Sequence, residues 1–254
     1  MSLKTAMETI LVVGSTGNIG TAAVSAALRT KRNVLAVVRN QNSADKLIKN
    51  AGTSKGITFA FADVASKGGI KGVVEQVRAG KLPAFQHVWS SVGGEYTDTQ
   101  LPEISDEQLE YNFELGFKAN FLNELVGAYR DTIGYLLEQK AESTWTICTG
   151  SQGDIALYPV PAMTQGALFS MVIAACRDNW KSNVRVNEVL LGFRVEVDGA
   201  AKEHGVSSST EFGKVYEEIL ARPEIRSSRI RVDKVEDLTK LRYARRFPEG
   251  TEKE

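Results

Sequence analysis

Ile10-Leu11-Val12-Val13-Gly14-Ser15-Thr16-Gly17-Asn18-Ile19-Gly20, followed by the alanine-rich residues 21–29, decides the fold. Residues 8–13 form a short β-branched run, long enough for a strand covered on both faces and too short for an ordinary helix. In a strand–turn–helix unit Gly14 allows the tight turn, Gly17 lets the backbone approach a pyrophosphate, and Gly20 lets the helix pack close to the strand. The helix start then offers free N–H groups and the positive end of its dipole to phosphates. Gly14, Ser15, Thr16, Gly17, Asn18, Ile19 and Gly20 are therefore the expected phosphate-gripping residues of a nucleotide cofactor site.

The next strand, residues 33–38, ends in Arg39, where an NAD-selective site places Asp or Glu on the ribose 2′-hydroxyl. A guanidinium suits a 2′-phosphate and an acid repels it, so the expected cofactor is NADP(H).

Composition agrees. A chain of 254 residues, 43% hydrophobic, can bury one large core. The formal net charge is zero and basic tracts are absent, which gives a nucleic-acid partner no electrostatic support. The amino-terminal ten residues are mixed and polar, unlike a signal peptide, and no apolar run reads as a membrane span, so a soluble, cytoplasmic protein is expected. Cys148 and Cys176 sit in apolar surroundings without metal-ligand spacing and read as buried thiols. His87 and His204 carry no partner pattern and read as structural or surface residues.

Strand-like and helical runs alternate along the chain: a strand at 57–61, a helix at 69–79, a strand at 86–91, a long helix at 106–127, a strand at 144–148, a helix at 162–179 and a strand at 184–190. That alternation predicts an α/β fold, a single-domain Rossmann-like doubly wound parallel sheet with helices on both faces. No linker divides residues 1–254, and residues 243–254 read as a frayed tail.

Taken together, these pieces resemble the short-chain dehydrogenase/reductase superfamily over about residues 10–238. Asp63-Val64 is similar to the family's adenine-contacting pair, and Ser90-Ser91-Val92-Gly93 lies where the family has Asn-Asn-Ala-Gly. Ile147-Cys148-Thr149-Gly150-Ser151 looks like the strand that ends in the catalytic serine, and Arg185-Val186-Asn187-Glu188-Val189-Leu190-Leu191-Gly192 is similar to the stretch beside the nicotinamide. The resemblance thus implies that Asp63, Val64, Ser91, Val92, Gly93, Gln165 and Gly192 join the cofactor site. It also implies a homo-oligomer, a dimer or tetramer, acting on a bulky apolar small molecule.

The departures are as informative. The Gly-x-x-Gly-x-x-Gly loop is similar to the NmrA-like branch. Aligning Gln165-Gly166-Ala167-Leu168 with the family's Lys-Ala-Ala-Leu puts Pro161 at the catalytic tyrosine and Gln165 at its lysine, while Gly116 stands for the helix asparagine. Only Ser151 of that tetrad remains. A ketone must have its developing alkoxide neutralised, whereas an iminium arrives cationic and leaves neutral after hydride attack. Asp154 is the candidate charge partner for such a substrate, Arg130 a candidate anchor for an acidic or carbonyl group, and Tyr158 a candidate displaced acid. An Asx-turn for Asp154 and a solvated helix position for Arg130 are the structural alternatives.

This pattern resembles the fungal reductase/Diels–Alderases and NmrA-like cyclases of indole-alkaloid secondary metabolism. That resemblance implies iminium or azadiene reduction coupled to a cycloaddition. Two other readings stand beside it: a non-catalytic NADP(H) sensor or scaffold, and an ordinary ketone reductase that uses Tyr158. Residues 199–220, within a wider segment 193–222, read as a substrate cover: a polar loop, then an amphipathic helix at 211–220 with Phe212, Val215, Tyr216, Ile219 and Leu220 on one face.

Overall fold

The computed structural model describes residues 7–66, 68–91, 99–112, 114 and 125–251. In chain order the elements begin β1 (Thr9–Val13), α1 (Asn18–Arg29), β2 (Asn33–Val38), α2 (Gln41–Ala51), β3 (Ile57–Phe61), α3 (Gly69–Arg78), β4 (His87–Ser90), α4 (Asp106–Asn112) and α5 (Gly127–Leu137). They continue with β5 (Ser143–Gly150), α6 (Gln152–Ile155), α7 (Pro159–Asp178), β6 (Val184–Leu191), β7 (Val195–Glu196), α8 (Asp198–His204), β8 (Ser207–Ser208), α9 (Ser209–Ala221), β9 (Ser228–Val232) and β10 (Arg242–Arg245).

Successive strand residues point to opposite faces, and both faces here are covered. Leu11 and Val13 of β1 join Leu35 and Val37 of β2 under the layer of α3, α5 and α7, where Ile70, Val73, Leu136, Leu168 and Val172 meet them. Ile10 and Val12 join Val34 and Ala36 under the opposite layer, against Ala23 and Val24 of α1, Leu47 of α2 and Phe212, Val215 and Ile219 of α9. Burying each of these aliphatic side chains contributes roughly 1.5–3 kcal/mol, which is why β1 and β2 are apolar at nearly every position rather than at every second one.

The main sheet runs β10-β9-β6-β5-β4-β1-β2-β3. Its pairs are parallel except β10 with β9. From β1 the chain builds outward through β2 and β3, then returns to the other side of β1 to start β4. A doubly wound sheet binds ligands at the carboxyl ends of its strands where the order reverses, here between β1 and β4.

Several expectations are corrected. The helix expected at 106–127 is helical at its described positions and is extended rather than overturned, since α5 runs on to Leu137; residues 113 and 115–124 lie outside the described residues. The helix expected from 162 opens at Pro159, a residue suited to a first helical turn because the missing N–H has no partner to lose there. By length and composition α7 could cross a membrane, which the sequence reading overlooked, yet Leu168, Val172, Ala175 and Cys176 are buried against the sheet. The tail is not frayed from 243: Arg242–Arg245 pairs with β9 as the edge strand, and Phe247 is buried.

The expected substrate cover is the largest correction. The polar loop contains α8 and β8, and α9 is a core helix on α1. A Cβ on Gly213 of α9 would meet the Arg29 guanidinium first and the Ala22 carbonyl of α1 at 3.0 Å, so the two helices approach closely there. Its amphipathic face is apolar because the sheet lies beneath it.

Candidate active site

At the end of β1, Gly14 turns the chain with φ 77°, and a Cβ on Gly20 would run into the Gly14 carbonyl and Ser15 Cα. Both glycines are required by the turn itself. Gly17 is different: its φ of −76° suits any residue, and a Cβ there would meet nothing closer than Gly14 O at 3.5 Å. The fold gives Gly17 no reason to lack a side chain, whereas a phosphate approaching the backbone would. It is also the N-cap of α1, without a side-chain cap and with no acid in the first turn, so the helix start keeps N–H groups for an anion.

The surrounding loop is rigid. Ser15 is fully buried and donates to Val37 O at 2.7 Å, and the side chain of Asn18 accepts from Val197 N–H at 3.2 Å. Thr16 lies half-buried in the turn, and Ile19 packs on the α1–α9 cluster. Ser15 and Asn18 therefore brace the turn rather than projecting free side chains.

Arg39, just past β2, has a side chain 71% exposed, with the Asp63 carboxylate 4.0 Å away. Asp63 follows β3 and accepts Ala65 N–H, while Val64 packs against the core. On the other side of the crevice Ser91 donates its N–H to Val13 O, and the hydroxyls of Ser90 and Ser91 are buried without a partner among the described residues. Val92, Gly93 and Gly116 lie outside the described residues. An uncapped helix start, a glycine without a packing reason, hydroxyls unpartnered among the described residues and an exposed arginine together fit a dinucleotide, whose diphosphate Gly17 and the start of α1 could hold. Such a cofactor would supply or accept hydride.

Ser151 stands directly beyond β5. Its N–H donates to Leu191 O, and its carbonyl accepts from Asp154 and Ile155 N–H. Its hydroxyl carries no hydrogen bond among the described residues. The result is a donor on a fixed backbone at the carboxyl end of the sheet. Gln165, one turn into α7, accepts the Gly150 N–H at 2.7 Å, so the residue aligned with the family lysine is committed to the backbone. Pro161 lies in the first turn of α7, and Tyr158 is its N-cap, donating its N–H to Gln152 at 3.2 Å.

Asp154 and Arg130 are corrected. Asp154 faces Arg229 and Arg231 at 3.4 and 3.3 Å and offers no unpaired anion to a cationic substrate. Arg130 turns to its neighbour Asp131 at 2.7 Å, which lifts its pKa, and it is not an anchor within the crevice. Gly192 is held by packing, its N–H donating to Val232 O, and a Cβ there would run into Asp233 Cα. The Arg-Val-Asn stretch is structural: Arg185 donates to the carbonyls of Ile219, Arg222 and Ile225, and Asn187 to that of Ile225, securing the end of α9. Only the far end of β6, at Leu191 and Gly192, reaches the site.

Beneath Ser151 lies a network that sequence reasoning missed. Glu188 of β6 is fully buried and accepts from Thr149 Oγ1 at 2.7 Å and Arg229 Nε at 2.9 Å, with Arg246 Nε also 2.9 Å away. Arg229 in turn lies over the Phe169 ring at 4.0 Å, and that ring fills the space a Cβ on Gly153 would need. The one-turn α6 is thereby pinned from both sides. A carboxylate midway along a buried strand was the available signal; its partners were too distant in sequence to identify. Cys176 is buried as expected and Cys148 half-buried; burial, with the Glu188 charge as a lesser cause, pushes both thiols well up. His87 sits between Thr144 and Glu8, and His204 on Glu196, both in structural pairs.

A family model described as short chain dehydrogenase matches residues 8–200. The chain is 49% identical over 241 residues to a Pestalotiopsis fici protein described as short-chain dehydrogenase/reductase iacG, covering 93% of this chain and 95% of that one. Among solved structures it is similar to a Brucella melitensis short-chain dehydrogenase/reductase described as glucose/ribitol dehydrogenase, with TM-score 0.71, 17% identity, and 90% and 96% of the two chains covered. It is also similar to an NADPH-bound Pseudomonas aeruginosa short chain oxidoreductase described as containing an atypical catalytic center, with TM-score 0.67, 15% identity and coverages of 86% and 92%. At such identities these two structures speak for the fold alone.

Proposed function

The chain belongs to the short-chain dehydrogenase/reductase family, an oxidoreductase family that uses nicotinamide cofactors, and from that premise we propose that it is an NADP(H)-dependent reductase working without a Tyr/Lys proton relay. One observation carries the reading. Gln165 is spent on the Gly150 N–H where the relay's lysine would stand, while the Ser151 hydroxyl has no hydrogen-bond partner among the described residues. A site so arranged can orient an electrophile and give it one neutral hydrogen bond, while Gln165 cannot supply the lysine charge that would ready a phenol to protonate an alkoxide. It suits an electrophile that is already cationic, an iminium-type natural-product substrate, which becomes neutral on taking hydride. Asp154 is not its counterion. Arg39, exposed at the end of β2, supports NADP(H) over NAD(H).

A cycloaddition of the reduced product is the extension of this reading. Ile155, Leu157 and Met163 are exposed at 53%, 70% and 48% along α6 and the start of α7, an apolar rim that would hold a folded product away from water.

The test follows deuterium from 4-deuterated NADPH into a panel of cyclic iminium ions and matched ketones, with Tyr158→Phe alongside. Transfer to iminium ions that survives Tyr158→Phe is the expected result. Transfer to ketones that disappears in Tyr158→Phe overturns it in favour of an ordinary ketone reductase. NADPH binding with no transfer to either class replaces it with a non-catalytic sensor.

A further inference from the structure

We infer that Gln165 is a specificity-determining residue: its side-chain amide nitrogen Nε2 and the Ser151 hydroxyl form a two-donor cradle for a neutral carbonyl oxygen, so the substrate carries an amide or lactam beside the carbon that takes hydride. The inference deepens the function proposed above and rests on its premise that the crevice at Ser151 receives the substrate.

A backbone N–H can only donate. The Gly150 N–H lies 2.7 Å from Gln165 Oε1, so the oxygen of that amide must face it and Nε2 must point away. Flipping the amide would set donor against donor, which fixes the orientation chemically. Gln165 is half-buried, and its Nε2 makes no hydrogen bond among the described residues. The stem is held as well, since a Cβ on Gly153 of α6 would come within 3.0 Å of Gln165 Cβ. Ser151 follows Gly150 in the chain, and its own N–H is fixed on Leu191 O. Two donors without a partner among the described residues therefore hang from adjacent, anchored backbone positions at the end of β5.

The two differ in freedom. A hydroxyl can rotate and accept, whereas Nε2 of Gln165 presents only hydrogens. A cationic electrophile gains nothing from those hydrogens, so the substrate must offer them an atom with lone pairs. A carboxylate or phosphate calls for a cation at close range, and the arginines behind β5 and α6 are already paired, Arg229 and Arg246 with Glu188, and Arg231 with Asp154. A neutral carbonyl oxygen is what two neutral donors match. Among neutral carbonyls the amide is the strongest acceptor, because resonance from nitrogen places negative charge on its oxygen. The same resonance protects the amide carbon from hydride, so the amide is held while the carbon beside it is reduced.

The test is an NMR titration, with NADP⁺ present at about pH 8, of 2-piperidone and of its thione analogue, whose sulfur is a weaker acceptor. No hydride moves in this experiment, so failure of lactam binding and failure of iminium reduction are read separately. Each neutral hydrogen bond is worth about three- to tenfold in Kd, so the wild type should prefer the lactam about tenfold or more. Gln165→Glu keeps an acceptor for the Gly150 N–H and puts an ionised oxygen where Nε2 stood. It should unfold near the wild-type temperature and bind the lactam at least about tenfold more weakly. Ser151→Ala should retain part of the preference, about threefold or more, because Gln165 still donates. A preference that vanishes in Ser151→Ala overturns the inference, and this comparison decides the matter even where Gln165→Glu does not fold. Lactam binding unchanged in Gln165→Glu, or absent from the wild type in the tens of millimolar, also overturns it. So does a Gln165→Glu protein that loses NADPH affinity but not lactam affinity, which would turn Nε2 toward the cofactor.

Discussion

Replacing Gly17 by alanine separates a ligand's demand from the fold's. The added Cβ meets only Gly14 O, at 3.5 Å, an ordinary contact, and φ stays at an unstrained −76°. Alanine is a poorer N-cap than glycine by a few tenths to about 1 kcal/mol, and stiffening the unfolded chain returns about 0.4–1 kcal/mol. The two effects nearly cancel, so stability should change by less than about 1 kcal/mol, or about 2–4 °C in Tm for a chain of this size. The cofactor sees a different change, because the methyl group stands where the diphosphate approaches the backbone. Losing one hydrogen bond to a charged group weakens binding by about 1.5–3 kcal/mol, about ten- to a hundredfold in Kd. Gly20→Ala is the counterpart: its Cβ collides with the Gly14 carbonyl, so this variant should lose stability outright. The assay is NADPH titration by calorimetry beside thermal unfolding of both variants. Gly17→Ala binding NADPH as tightly as the wild type, or unfolding as readily as Gly20→Ala, would refute the reasoning.

Three further outcomes are expected. Arg39→Ala should weaken NADPH binding about ten- to a hundredfold and leave NADH binding unchanged, which competitive titration measures; equal losses for both cofactors would show that Arg39 does not read the 2′-phosphate. Glu188→Ala strands Arg229 and Arg246, whose side chains are only 12% and 13% exposed, without their carboxylate, and should lower stability in urea by about 3–5 kcal/mol. A loss under about 1 kcal/mol would mean the network does not support α6. Asp237, held by Arg242 and then by the Asp233 and Lys234 N–H groups, has its carboxyl drawn down to about 2, below the ordinary value of about 3.9. Because the folded value is the lower one, this contribution is present above pH ~4 and is lost as pH falls toward ~2. The stability gap between wild type and Asp237→Asn should therefore close on acidification, and a constant gap from neutral pH down to that range would show that ionisation of Asp237 is not its source.

Much of the fold was legible because its signals are local. The bounds of β2 and β3 match the expected runs at 33–38 and 57–61, since a short β-branched stretch between turn residues has few alternatives. The glycine loop was equally readable, as the turn and the helix start both follow from spacing within seven residues. The helix expected at 211–220 is present as α9, but its role as a substrate cover was misjudged for an instructive reason. An apolar stripe at helical spacing says that one face is covered without saying by what, and the sheet beneath α1 was as good an answer as a substrate. Residues 242–245 failed likewise, because a charged edge strand looks like a polar tail until its partner β9 is known.

The sequence by itself determined the strand order's ingredients, the glycine turn between β1 and α1, the arginine at the end of β2 and the presence of Pro161 and Gln165 early in α7, all properties of neighbours along the chain. Only the tertiary structure decided that Asp154 is engaged, because Arg229 and Arg231 come from 75 and 77 residues away. It likewise decided that Gln165 is committed to Gly150 and that Glu188 holds its arginines under Ser151. A charge pattern shows which groups exist, but their chemistry depends on what lies within about 3 Å, and in a parallel sheet that neighbour comes from another strand.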